Sequence, residues 1–175
     1  MNKWLRLIRH RWMDVSDTRR TVPDDMATRL ATWVAASEQR HTGQIRLCVE
    51  SALPTSYLWR VGQVTPLPAV VRQRALAWFG RLRVWDTERN NGVLIYLLLA
   101  ERAIELVADR GLASRVPTAQ WQAMVNGLST CLQQGDVEDG LTQALGEVSA
   151  VLVEHFPTEG AAPRVNELPD VVVRV

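Results

Sequence analysis

The stretch Asn90-Asn91-Gly92-Val93-Leu94-Ile95-Tyr96-Leu97-Leu98-Leu99-Ala100 decides how the chain folds. Seven consecutive apolar residues, 93–99, follow a run of turn formers and leave no polar face for water. That predicts a strand buried on both sides, so helices must cover both faces of its sheet. Glu101-Arg102 reads as a tight turn, and residues 103–108 as a hairpin partner closed by Asp109-Arg110-Gly111. Upstream, Ile45-Arg46-Leu47-Cys48-Val49-Glu50 alternates with a period of two, a strand with one apolar face.

Helical spacing surrounds these strands. Thr21, Pro23 and Asp24 start a helix that carries Met26, Leu30, Trp33 and Val34 and stops near Gly43. Residues 70–82, 118–134 and 137–155 show apolar residues three to four apart. Residues 51–68 hold Pro54, Gly62, Pro66 and Pro68 and read as a loop. The order α-β-α-β-β-α-α predicts an α/β protein, a three-layer α/β/α sandwich around a small mixed sheet. Residues 14–156 form that domain. Residues 1–13 are an amphipathic helix whose stripe of Trp4, Leu5, Ile8 and Trp12 is expected to pack on it. The alternative is that this Trp/Arg helix docks on an anionic membrane surface. Residues 157–175 read as a mostly irregular tail; an edge strand at 171–173 is limited by Pro169.

The 175 residues suit one domain, and the chain is 47% hydrophobic and 22% charged, an ordinary globular composition. The net charge of +1 hides a split: residues 1–89 hold 15 basic and 8 acidic side chains, residues 90–175 hold 5 and 11. Lys3 is the only lysine. The split is expected to resolve into Arg–carboxylate contacts within one sandwich. Residues 51–85, with five Arg and no acid, are the place where an excess could form a basic face. No run approaches the ~20 apolar residues of a spanning helix, and the charged start lacks the apolar core of a signal peptide. The chain is therefore expected to be cytoplasmic, with Cys48 and Cys131 as free thiols.

Several machines are missing from the sequence. There is no phosphate-binding G-x-x-x-x-G-K-[ST] or G-x-G-x-x-G loop, no H-E-x-x-H and no G-x-S-x-G elbow. Neither cysteine has an arginine six positions on, and no D-x-D-x-T occurs, so no phosphatase nucleophile signature is present. No nucleotide or organic cofactor is indicated, and no nucleic-acid-binding motif is found. What remains is oxygen-rich loops at strand ends. Asp86, Asn90 and Asn91 enter the central strand and Asp109 leaves its neighbour, so a hairpin brings them to one end. Carboxylates and amides are the hard-oxygen set of Ca²⁺ or Mg²⁺; the other reading is that they cap and turn. Arg110 is either an anion-binding arm or an internal ion-pair partner.

Three segments taken in order carry a family resemblance: Glu38-Gln39-Arg40-His41-Thr42-Gly43-Gln44-Ile45, Asn90-Asn91-Gly92-Val93-Leu94-Ile95-Tyr96 and Val107-Ala108-Asp109-Arg110-Gly111-Leu112. They resemble the TPM domain, over roughly residues 14–156. The resemblance implies an α/β/α sandwich with an oxygen-lined divalent-cation site, and in some members acid phosphatase activity. Carried over, Asn90, Asn91 and Gly92 match the family's aspartate-Asn-Gly run, and Asp109, Arg110 and Gly111 its Gly-aromatic-Gly turn. Asp17, with Asp14 competing, matches an aspartate before the first long helix. Asn90 in place of aspartate removes a charge from such a site, and Asp109 restores one. Three functions follow as expectations: a cation-binding TPM-like domain using Asp86, Asn90, Asn91, Asp109 and Asp17; a metal-dependent phosphatase; or an interaction module for a protein or an anionic membrane surface.

Overall fold

A computed structural model describes residues 3–62, 65–158 and 166–175. The apolar run becomes strand β2 once the chain order is followed: helices α1 (Lys3–Trp12), α2 (Val15–Thr21) and α3 (Asp24–Ser37), strand β1 (Gln44–Glu50), helices α4 (Thr55–Leu58) and α5 (Leu67–Arg81), then β2 (Gly92–Leu98). A short 3₁₀ turn (Leu99–Glu101) leads to β3 (Ala103–Ala108). Helices α6 (Arg110–Ala113), α7 (Thr118–Gln134) and α8 (Val137–His155) follow, and the last strand is β4 (Val173–Arg174). The four strands form one mixed sheet in the order β3-β2-β1-β4. β1 and β2 run parallel, Gln44 opposite Gly92 through Glu50 opposite Leu98. β2 and β3 form the expected antiparallel hairpin, Val93 opposite Ala108.

Every residue of β2 is buried, as an uninterrupted apolar strand requires. Its alternate side chains feed two cores. Val93, Ile95 and Leu97 meet α3, α7 and α8 through Leu30, Val34, Leu128, Leu145 and Leu152. Leu94, Tyr96 and Leu98 meet α5 through Val70, Val71, Ala75 and Trp78. These are the three layers of an α/β/α sandwich.

The structure departs from the sequence reading at five places. Ahead of the first long helix the chain makes a helix that the sequence reading did not include: Asp14 caps α2, accepting from Ser16 N at 2.7 Å, while Asp17 Oδ2 accepts from Asp14 N at 2.9 Å. This reciprocal capping supports a helix of only seven residues. Within 51–68, α4 forms and α5 starts at Leu67. β1 has no solvent face; Arg46 and Glu50 are buried, because the strand lies between β2 and β4 with α5 above it. The tail is not wholly irregular: β4 pairs parallel with β1, Cys48 opposite Val173. Pro169 lies four residues upstream of β4, where its missing N–H disturbs no pairing. Tail residues 159–165 lie outside the described residues.

The fifth departure is α1. The helix sits on the domain, but with the opposite face. His10 is buried and its Nε2 donates to Glu101 Oε1 at 2.9 Å, while Leu53 N donates to Nδ1 at 2.9 Å. Arg6 Nε lies 2.8 Å from the same Glu101 oxygen. Trp4 (70%), Leu5 (60%), Ile8 (54%) and Trp12 (82%) are exposed. A buried carboxylate that needs cations decided which face turned inward.

The charge split resolves as ion pairs between the halves: Arg6 with Glu101, Arg29 with Glu138, Arg72 with Glu105. The acid-free segment forms no single basic face. Arg74 is drawn inward to Glu50, Arg72 Nη1 donates to Leu106 O, Arg83 pairs with Asp86, and Arg60 and Arg81 lie over Tyr57 and Trp78.

Candidate functional site

The loop end of the β2–β3 hairpin gathers the Asn-Asn-Gly and Asp-Arg-Gly segments. Asp109 N donates to Gly92 O at 2.8 Å, and Gly111 N to Asn90 O at 2.9 Å. Two glycines make this crossing possible. A Cβ on Gly92 would lie 2.0 Å from Val84 O, and one on Gly111 would lie 2.6 Å from Asn90 O and 2.8 Å from Arg89 O. Those neighbours are backbone and cannot swing away. Asn90 takes a left-handed conformation (φ 52°), which asparagine tolerates better than most residues.

The side chains at this end divide into committed and uncommitted groups. Asp86 is exposed and its Oδ2 accepts from Arg83 Nη2 at 2.6 Å. Asn90 Oδ1 accepts from Arg110 Nε at 3.2 Å, so Arg110 is an internal partner of this loop. Asn91 is fully buried; its backbone N donates to Thr87 Oγ1 (3.1 Å) and its Nδ2 to Thr42 Oγ1 (3.2 Å), at the head of β1. Its Oδ1 has no donor. Asp109 caps α6: Oδ1 accepts from Arg110 N at 2.7 Å, while its buried Oδ2 has no donor. Two unpartnered acceptors beside the ends of neighbouring strands are costly, and they are the atoms here whose chemistry suits a hard cation.

Asp17 does not join them. It is held in the α2 cap, and α2 leads to Val22, whose carbonyl accepts from Arg174 of β4 at 2.9 Å. Arg174 is opposite Val49, so this is the far end of β1 from Asn91. Among the described residues, no group of three or more His, Cys, Asp or Glu side chains is gathered for a metal ion. Asn91 Oδ1 and Asp109 Oδ2 are the unpartnered buried oxygens of the hairpin end.

A second polar constellation, unseen in the sequence, lies under α5. Glu50 is buried and accepts from both Nε and Nη2 of Arg74, from Trp78 Nε1 at 2.9 Å and from Tyr96 OH at 2.6 Å. Burial disfavours charge on Arg74, but the hydrogen bonds and charge of Glu50 override it and hold the guanidinium more firmly protonated than usual. Burial, then the Glu50 charge, push the Tyr96 hydroxyl and the Cys48 thiol far up, so neither ionises near neutrality. The one available signal was charge in the alternation of β1; it was read as a face toward water. Arg46, two residues before Cys48, is buried with Nε and Nη1 unpartnered, and burial lowers its pKa.

Both cysteines are free, Cys48 buried and Cys131 half-buried. No helix among the described residues is long and apolar enough to cross a membrane.

No curated protein matches the sequence. The fold resembles the NMR structure of BA42 protein from the psychrophilic bacterium Bizionia argentinensis, with a TM-score of 0.71 at 21% identity. That likeness covers 87% of this chain and 94% of BA42, and it is one of fold. The family model of the TPM domain matches residues 15–151, which run from the capped α2 into the last turns of α8 and include both glycine-tied hairpin loops. With strands β1 to β3, helices of both covering layers and the sequence segments that tie the hairpin end inside that span, the chain belongs to the TPM domain family.

Proposed function

We propose that the domain binds one hard divalent cation, Ca²⁺ or Mg²⁺, at the loop end of the β2–β3 hairpin. The observation that carries this reading is the pair of buried oxygens without donors, Asn91 Oδ1 and Asp109 Oδ2. Asp109 supplies the charge and Asn91 a neutral oxygen. One carboxylate leaves most coordination positions to water, which suits Mg²⁺ better than a closed protein cage would. Such a site is weak, of the kind that fills at millimolar metal. Hydrolysis of phosphate esters is the lesser reading, because the base would have to be Asp86 or Asp109, and Asp86 is engaged by Arg83.

The test is thermal melting with MgCl₂ or CaCl₂ against NaCl at equal ionic strength. At ten times its dissociation constant a cation adds about 1.4 kcal/mol, which raises the melting temperature by about 4 °C for a chain this size. Asp109→Asn should lose the gain. Equal melting in the chloride salts, or an undiminished gain in the variant, refutes the reading.

An interaction module is a second reading, favoured by the solvent-facing Trp4, Leu5, Ile8 and Trp12 of α1. The two free thiols support a reducing, cytoplasmic setting for either role.

A further inference from the structure

The face of α1 turned away from the domain has a definite layout. At about 100° per residue, Trp4, Ile8, Trp12 and Leu5 span an arc of about 100°. On the same wheel Arg11 falls about 20° beyond one edge of the arc and Arg9 about 40° beyond the other. Both arginines are exposed, and no residue of the helix is acidic. The inner face is fixed through Arg6 and His10 to Glu101 and through the His10–Leu53 hydrogen bond. α1 is thus held, with its apolar side outward. Beside the helix lies a cleft of about 500 Å³, lined by Trp4, Ile8, Trp12 and Leu58 together with the polar Arg11 and Asp14 among others.

We propose that α1 docks the domain on an anionic lipid surface, lying in the plane of the interface. The proposal rests on the interaction-module reading and names its partner. Tryptophan bodies with polar N–H tips favour the boundary between headgroups and acyl chains. Cations flanking an apolar arc on both sides match a plane of negative headgroups. Charge also argues against a second copy of the chain. Two such faces brought together would oppose Arg9 and Arg11 to their own kind, with no acid on either helix to offset them.

The experiment is co-sedimentation of the intact chain with vesicles of phosphatidylcholine, with and without phosphatidylglycerol. Two double variants, Trp4→Ser/Trp12→Ser and Arg9→Gln/Arg11→Gln, change only exposed side chains and should melt with the wild type. Wild type should bind the phosphatidylglycerol vesicles and leave the neutral ones largely free. Losing both arginines should weaken partitioning about 30-fold, at about fivefold per cation near the surface. Losing both tryptophans should weaken it more than about tenfold. Binding that ignores phosphatidylglycerol, or is unchanged in either variant, overturns the proposal. A wild-type dimer that dissociates in the tryptophan variant, with no vesicle binding, overturns the lipid partner and keeps the interaction module. No vesicle binding and no self-association overturns both.

Discussion

Replacing Glu50 by glutamine removes the negative charge under α5 while keeping the size of the side chain. Arg74 then loses its counterion with only 12% of its side chain exposed. Stranding one member of a buried pair costs about 3–5 kcal/mol. Glutamine also brings an NH₂ group to a position surrounded by donors from Arg74, Trp78 and Tyr96. The Tyr96 hydroxyl can rotate and accept, but the Trp78 N–H or an Arg74 N–H goes unmatched, and an unmatched buried donor costs about 1–3 kcal/mol. The two costs share the same geometry and overlap, so the expected loss is about 4 kcal/mol, against a total stability of about 5–15 kcal/mol for a domain. The assay is urea unfolding at neutral pH, with thermal melting falling by about 10 °C. A second variant isolates the cause. Adding Arg74→Met to Glu50→Gln removes the stranded cation, so the double variant should be about 2 kcal/mol more stable than Glu50→Gln alone. A single-variant loss under about 1 kcal/mol, or a double variant less stable than the single, refutes the reasoning that a desolvated ion pair anchors α5.

Two further outcomes follow. Gly92→Ala should lose about 3 kcal/mol or more in urea unfolding, since the new methyl meets Val84 O at 2.0 Å and only backbone movement relieves it. A loss equal to that of Gly80→Ala, where a Cβ meets nothing within 4 Å, refutes this. For Glu101, burial opposes the charge, but the His10 hydrogen bond and the Arg6 charge hold its carboxyl below the usual range. A depressed carboxyl contributes stability above its unfolded pKa of about 4.3 that is lost as pH falls through the folded value. Wild type should therefore outmelt Glu101→Gln at pH 7, and the gap should close on acidification. A gap that persists or widens toward pH 3 contradicts the clamp.

The strands and long helices were legible because each has a period or a run that physics allows in one way. β2 could only be a doubly covered strand, and its hairpin with β3 followed from the short turn between them. β1 misled because alternation shows that two faces differ without showing what covers the second; Glu50 and Arg46 look solvated until α5 and β4 arrive. α1 misled for the same reason in reverse. Its Trp stripe is visible at helical spacing, yet the decision to turn it outward was made by Glu101, ninety residues away. At the hairpin end the predicted hairpin brought Asn91 and Asp109 to one end of the sheet, and an internal role was one of two readings open for Arg110; nothing in the sequence pointed to Arg83 engaging Asp86. Asp17 was grouped with them by resemblance, while its local role, closing a capping box with Asp14, depends on three residues of spacing.

α1 touches Leu53 and Glu101, beyond the last residues of β1 and β2, while Asn91 and Asp109 lie beyond the first residue of β2 and the last of β3. Seven-residue strands hold these two ends about 20 Å apart. The molecule therefore has a head and a foot. A surface pressed against α1 leaves the hairpin loops facing bulk solution. Free-energy changes made at the two ends should sum in combined variants, and any departure from the sum would measure how stiffly the sheet couples one end to the other.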